Sequence, residues 1–289
     1  MRCQLIVMLM FAACRPSDKI RTEFGAPIIE AYGRFEDEDA ALAPVLFALE
    51  EQLYRSLEID HKDTLKRSVI PPELTDAQVA GLEGAPDRDP GACIGMLVGF
   101  ASSFSIEAHA TLPLFADQRP LEPASPDHYD RTFLEGEDCW GDRSCLMLRT
   151  HQDLTKVYTA GFIPPIAYEF FKDFRWVDIG AEDGSPRWVY TARTWNPGSF
   201  SSENGKNTLL QSYTLEVWYP RDGRGFRFAD TEEVPESQGD SDGGGVTRFQ
   251  AVWSEQDIDL SNDPEMQAGT IRWGLDRNFQ AHEDFLAAE

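Results

Sequence analysis

The chain has 289 residues, 42% of them hydrophobic, and carries 26 Lys and Arg against 50 Asp and Glu, a formal net charge of −24. That length and apolar content allow a sizeable core in one large domain or two small ones and argue against wholesale disorder. The acidity argues against a nucleic-acid partner, because phosphate contacts need clustered Lys and Arg, and against an electrostatic hold on anionic lipid.

The first element is the stretch "MRCQLIVMLMFAAC". A positive start at Arg2, an apolar run from Leu5 to Phe11 and small residues before Cys14 have the order of a secretory signal. The run is far shorter than the ~20 residues of a membrane-spanning helix. Phe11-Ala12-Ala13-Cys14 resembles the lipobox of bacterial lipoproteins, with Phe where Leu is usual. The resemblance implies cleavage before Cys14, acylation of that Cys, and attachment to a lipid bilayer. Arg15 follows in place of the Asp that favours inner-membrane retention, which implies the outer membrane of a Gram-negative cell envelope. The organisation expected is thus a signal peptide over 1–13, a lipidated Cys14 with a flexible tether to 38, and a single domain over 39–289. The polar mixture around Pro16, Gly25 and Pro27, closing in "RFEDEDA", reads as that tether.

Leu42, Val45, Leu46, Leu49, Leu53 and Leu57 then recur at spacings of three and four, one helical face. Asp39 is its expected N-cap, with Pro44 in the first turn. "PPELTDAQVAGLEG" reads as a short second helix capped by Thr75. Beyond Cys93 the pattern alternates: Phe104, Ile106, Ala108, Ala110 and Leu112 against Ser105, Glu107, His109 and Thr111, a half-buried strand.

Further strands are expected at "DRTFLEG", "CLMLRTHQDLTKVY", "KDFRWVDIG", "RWVYTARTW", "NTLLQSYTLEVWYP" and "VTRFQAVWSE". Leu209, Tyr213, Leu215 and Val217 share one face of the fifth. The short connections require antiparallel pairing, since parallel neighbours need crossovers of a dozen or more residues. "EVPESQGDSDGGG" reads as a flexible loop. It fails as an EF-hand, because the twelfth position from Asp240 is Ala251 rather than Glu. The last segment is a helix with Ile271, Leu275, Phe279, His282 and Leu286 on one face, widened by Asn278 and Phe285.

The order is N-terminal helices, a curved antiparallel sheet and a C-terminal helix, an α+β fold. That element order resembles the START or helix-grip arrangement of lipid and hydrophobe carriers.

Three cysteines remain after removal of Cys3 and lipidation of Cys14. "CWGDRSC" carries turn residues between its cysteines, and export supplies an oxidising compartment. A Cys139–Cys145 disulfide is expected, contributing roughly 2 kcal/mol by loop entropy. Cys93 is expected to be buried and unpaired.

Candidate chemistry is sparse. Glu107 and His109, two apart on a strand, project together and fit a general-base pair or half a metal shell, though no third ligand can be named. The same pair fits a solvated strand face. Glu135, Glu137 and Asp138 fit the paired carboxylates of a glycosidase, although acids are abundant throughout. Arg131, Arg149, Arg175 and Arg193 could line a pocket for an anionic group if their faces coincide; ion pairing with the many carboxylates is the ordinary alternative. No GxSxG, HExxH, P-loop or dinucleotide fingerprint occurs, and no cofactor or metal is implied. The expected role is binding of a small hydrophobic or amphipathic molecule between sheet and C-terminal helix. The alternatives are a hydrolase built on Glu107/His109 or Glu135/Asp138, and a non-catalytic envelope interaction protein.

Overall fold

A computed structural model describes residues 26–56, 70–157, 164–181, 183–221, 244–258 and 264–289. The signal-like stretch with Cys14 and most of the Gly-rich acidic loop lie outside the described residues. The architecture is α+β: N-terminal helices, one curved eight-stranded antiparallel sheet and a long C-terminal helix.

The N-terminal layer starts earlier than the expected domain. Helix α1 (Pro27–Gly33) buries Ile28, Ala31 and Tyr32, an i, i+3, i+4 set that faces the sheet. Tyr32 donates to the Thr194 carbonyl at 3.2 Å and meets Tyr213 and Trp253 edge-on. The end of the supposed tether is therefore part of the fold; seven residues are too few to display helical periodicity in sequence. Helix α2 (Asp39–Ser56) buries Leu42, Leu46, Leu49 and Leu53 as the spacing requires. Asp39 lies inside it rather than capping it, and Pro44 falls in the second turn, where it removes one helical hydrogen bond. Helix α3 (Asp76–Val79) is capped by Thr75, whose N–H donates to Gln78 Oε1 at 3.0 Å.

The sheet contains β1 (Ile94–Ser102), β2 (Tyr129–Glu135), β3 (Met147–Lys156), β4 (Ile166–Asp178), β5 (Trp188–Trp195), the short β6 (Phe200–Ser201), β7 (Asn207–Pro220) and β8 (Val246–Ile258). The order is β1-β8-β7-β5-β4-β3-β2, with β6 beside β7. The first strand thus sits at one edge and the second at the other. The connection between them contains helix α4 (Ile106–Thr111).

That helix corrects the strand expected over 104–112. Ile106, His109 and Ala110 are its buried residues, and Ser105 Oγ accepts from the Ala108 N–H at 3.2 Å as an N-cap. Six residues satisfy a period of two and a period of 3.6 about equally, and the cap decides for the helix.

The sheet separates two layers. On one face, Trp195, Tyr213, Leu215, Val217, Tyr219, Phe249 and Trp253 pack against α1 and α2. The opposite, inner face receives helix α5 (Pro264–Ala288). Leu275 and Phe279 of α5 pack on Met96, Val98, Phe100 and Val252, and Phe100 stacks on Phe279 at 4.4 Å. At one end of that face, α4 and Trp140 close over Phe174, Trp176, Tyr190 and Trp218. Trp140 donates to the Ala110 carbonyl at 2.8 Å. It is carried by the β2–β3 loop, which the expected Cys139–Cys145 disulfide closes. Gly136 begins that loop at φ +88°, and a Cβ there would overlap the Met147 carbonyl oxygen. Cys93 is buried and free, with burial pushing its thiol up to about 12.

Candidate ligand pocket

Between the inner face and α5 lies a pocket of about 270 Å³. One end is framed by Ile166, Tyr168, Leu209 and Ile271, the other by His109, Tyr190, Trp218, Arg248 and His282. A register shift between Leu209 and Gln211 turns Leu209 into the pocket, away from Tyr213, Leu215 and Val217, with which simple alternation groups it.

Charged residues occupy inward positions along this face. Glu216 on β7 lies opposite Gln250 and Ala192, and Lys172 on β4 lies opposite Thr194. The small side chains of β5 let the Lys172 stem cross the intervening strand, so its Nζ reaches Glu216 Oε1 at 2.5 Å. The second oxygen of Glu216 takes Arg248 Nη2 at 2.5 Å. Arg248 also donates to Gln250 Oε1 at 2.9 Å and, through Nη1, to His282 Nδ1 at 3.1 Å. Its guanidinium lies 5.0 Å from the Trp218 ring, which stacks on Tyr190 at 4.0 Å.

A guanidinium can only donate, so His282 Nδ1 is an acceptor and the ring is neutral with its proton on Nε2. Burial and then the Arg248 charge hold its pKa well below the ordinary value. Burial alone would raise Glu216, but Lys172 and Arg248 outweigh it and hold the carboxyl below its usual range. Arg131 on β2 reaches the same pocket. It donates to the Pro113 carbonyl, and its Nε is buried without a hydrogen-bond partner, as are Arg248 Nε, Trp218 Nε1 and His109 Nδ1.

His109 lines the pocket, but not with Glu107. On a helix two residues are rotated by about 200°, so Glu107 faces solvent, 3.4 Å from Arg143, while His109 is fully buried. His109 Nε2 lies 2.8 Å from Ser102 Oγ and 3.6 Å from Glu283 Oε1. Serine and carboxylate approach the same nitrogen, so the carboxylate does not orient the ring from behind as a nucleophilic triad requires. Burial and the Arg248 charge lower the His109 pKa to about 3. Among the described residues no group of three His, Cys, Asp or Glu is placed to hold a metal ion.

The remaining candidates lie elsewhere. Glu135, Glu137 and Asp138 are exposed where β2 ends, Glu135 lying 3.5 Å from Arg149. Arg149, Arg175 and Arg193 do share a face, but it is the helix-covered one. Arg175 pairs with Asp39 at 2.6 Å. Arg193 pairs with Glu36 at 2.6 Å and Asp173 at 3.3 Å, and Arg149 approaches Glu36 at 3.4 Å. These pairs dock the "RFEDEDA" segment onto the sheet, which is the physical reason it is no tether. Lys172, Glu216, Arg248 and His282 were not anticipated from sequence. For Lys172, Glu216 and Arg248 the signal is a charged residue at the second face of an otherwise apolar strand, which reads as solvent-facing until a helix covers it; for His282 it is a polar residue on the apolar face of the C-terminal helix.

No family model matches the chain, and no curated protein matches it. A crystal structure of Ara h 8.0201 aligns with 12% identity and a TM-score of 0.33, covering 68% of this chain and 99% of its own. A solution structure of a protein from Arthrobacter aurescens aligns with 10% identity and a TM-score of 0.30, covering 71% and 92%. Likenesses this low bear on neither mechanism nor ligand.

Proposed function

We propose that the chain binds a small hydrophobic or amphipathic molecule between the inner sheet face and α5, as an exported lipoprotein anchored through Cys14 at the outer membrane. The observation that carries the binding half is the pocket itself: about 270 Å³, roofed by α5 and walled by aromatic and aliphatic side chains with a few convergent polar groups. The anchoring half rests on Phe11-Ala12-Ala13-Cys14 alone.

The neutral dye phenylnaphthylamine is expected to bind with one-to-one stoichiometry and rising fluorescence. Gly274 lines the pocket, and a Cβ added there meets nothing within 4 Å. Gly274→Phe should therefore fill the space and abolish dye binding. Equal binding by this variant would overturn the assignment. For the anchor, a diacylglycerol mass on Cys14, lost in Cys14→Ser, is the expected result, and an unmodified Cys14 in the exported protein would refute it.

The hydrolase alternative has less support. Glu107 is remote from His109, and an imidazole with a pKa of about 3 is a weak base at neutral pH. The interaction-protein alternative calls for a contiguous apolar patch. The exposed Phe47, Ile70, Leu134 and Trp273 belong to four separate stretches of the chain.

A further inference from the structure

The charged end of the pocket is out of balance. Arg131, Lys172 and Arg248 converge there with one carboxylate, Glu216, both of whose oxygens are already taken. Arg131 has no carboxylate within ion-pair distance among the described residues; its hydrogen bonds go to neutral groups, the Pro113 carbonyl and the Tyr129 hydroxyl. The other acid that lines the pocket, Glu122, and the acid beside His109, Glu283, have their own partners. Glu122 accepts from Asn278 at 2.7 Å, and Glu283 sits beside His109 at 3.6 Å. His282 cannot offset the excess, because its Nδ1 already accepts from Arg248. Taking uncompensated cations out of water is costly, and here it happens inside a chain of net charge −24, where surplus carboxylates were abundant. Two guanidinium Nε–H groups and the Trp218 indole N–H are buried there without acceptors.

We infer that this end is a subsite for the carboxylate of a small amphipathic acid, which enters head-first against Arg131, Lys172 and Arg248 and lays its apolar body along Ile166, Tyr168, Leu209 and Ile271. A carboxylate supplies both the missing negative charge and acceptors for the unused N–H donors, and guanidinium groups match its planar oxygens. The aromatic plug of Trp140, Trp176 and Tyr190 behind the cations keeps the headgroup in a low-dielectric end, where pairing is strongest. At about 270 Å³ the space lies just below the usual range of ligand pockets, roughly 300–1,000 Å³. It suits a single medium-length chain or an arylalkyl acid rather than a two-chain lipid.

This inference rests on the pocket being a ligand site, and the test separates the two. Calorimetric titrations with decanoate, decanol and inorganic phosphate compare the head, the tail and the free anion. Decanoate is expected to bind at least about tenfold more tightly than decanol, with no heat from phosphate. Arg131→Gln should bring decanoate down to the level of decanol measured on the same variant, whereas Arg131→Lys should retain the preference. Lys172→Met gives the same reading should Arg131→Gln fail to fold. Equal binding of acid and alcohol would overturn the carboxylate subsite and leave the pocket assignment standing. Binding of neither would overturn both. Phosphate binding in place of decanoate would overturn the amphipathic ligand and make this an inorganic-anion site.

Discussion

The two faces of the sheet use the same materials in opposite ways. Both carry arginines on strands that otherwise alternate apolar residues. On the helix-covered face each cation meets acids from the N-terminal segment: Arg175 with Asp39, Arg193 with Glu36, and Arg187 in a two-pronged pair with Glu50 at 2.6 Å on each arm. On the inner face Lys172 and Arg248 share Glu216, Arg131 stands beside them without a carboxylate, and buried N–H groups are left over. The first face is closed structure; its charges hold helices in place. The second keeps donors in reserve beside an open volume. An unbalanced polar cluster next to a cavity is what separates a ligand site from an ordinary buried ion pair.

The contrast can be broken most forcefully at Glu50. Glu50→Ala removes both arms of the pair with Arg187 from a buried guanidinium and should cost about 3–5 kcal/mol in urea unfolding. A loss below 1 kcal/mol would show that the helix-covered pairs are not structural. The disulfide comes next. It closes the loop that delivers Trp140 to the blind end of the pocket, so Cys139→Ala/Cys145→Ala should cost about 2 kcal/mol by loop entropy and weaken ligand binding as well. An unchanged melting temperature would contradict it.

The third prediction concerns pH. His109 titrates at 6.5 when unfolded and about 3 when folded. As pH falls below 6.5 the unfolded chain therefore gains a proton that the native chain refuses. Stability is full above 6.5 and is lost as pH drops toward 3. Burial and then the Arg248 charge keep the ring neutral; burial also raises the pKa of the Glu283 carboxyl that faces it at 3.6 Å, which weakens that group's pull toward the charged imidazole. Between pH 6.5 and 5, His109→Gln should flatten the stability slope by up to about 1.4 kcal/mol per pH unit. Parallel slopes for variant and parent would refute a neutral buried imidazole. The smallest effect belongs to Arg131. Arg131→Gln removes an uncompensated cation, so it should lower unliganded stability by no more than about 1 kcal/mol. A loss as large as that of Glu50→Ala would erase the distinction between the faces.

Much of the scaffold was legible in the sequence. The Leu42–Leu53 stripe, the limits of β7 at Asn207 and Pro220, the C-terminal helix and the Cys139–Cys145 bridge follow from periodicity and turn chemistry. α4 did not, because Ser105–Thr111 fits two periods and only the cap distinguishes them. The Glu107–His109 pair dissolved with that strand. α1 is too short to announce itself, and the Glu36 carboxylate looks like solvated tether and Asp39 like a helix cap until Arg193 and Arg175 are brought against them. The pocket was legible only as an arrangement, sheet against C-terminal helix. Its cations were not, since alternation says that Arg248 and Glu216 share a face but not whether water or α5 covers it.

Indole N–H signals distinguish the two faces directly. Trp195 and Trp253 donate to the carbonyls of Glu83 and Pro72 at 2.8 Å on the helix-covered face, whereas Trp218 lines the pocket with its Nε1 unpartnered. In an NMR titration with decanoate, and separately with decanol, the Trp218 indole resonance should move saturably while Trp195 and Trp253 stay fixed. Movement of Trp195 and Trp253 without Trp218, or no movement at all, would contradict a ligand site on the inner face.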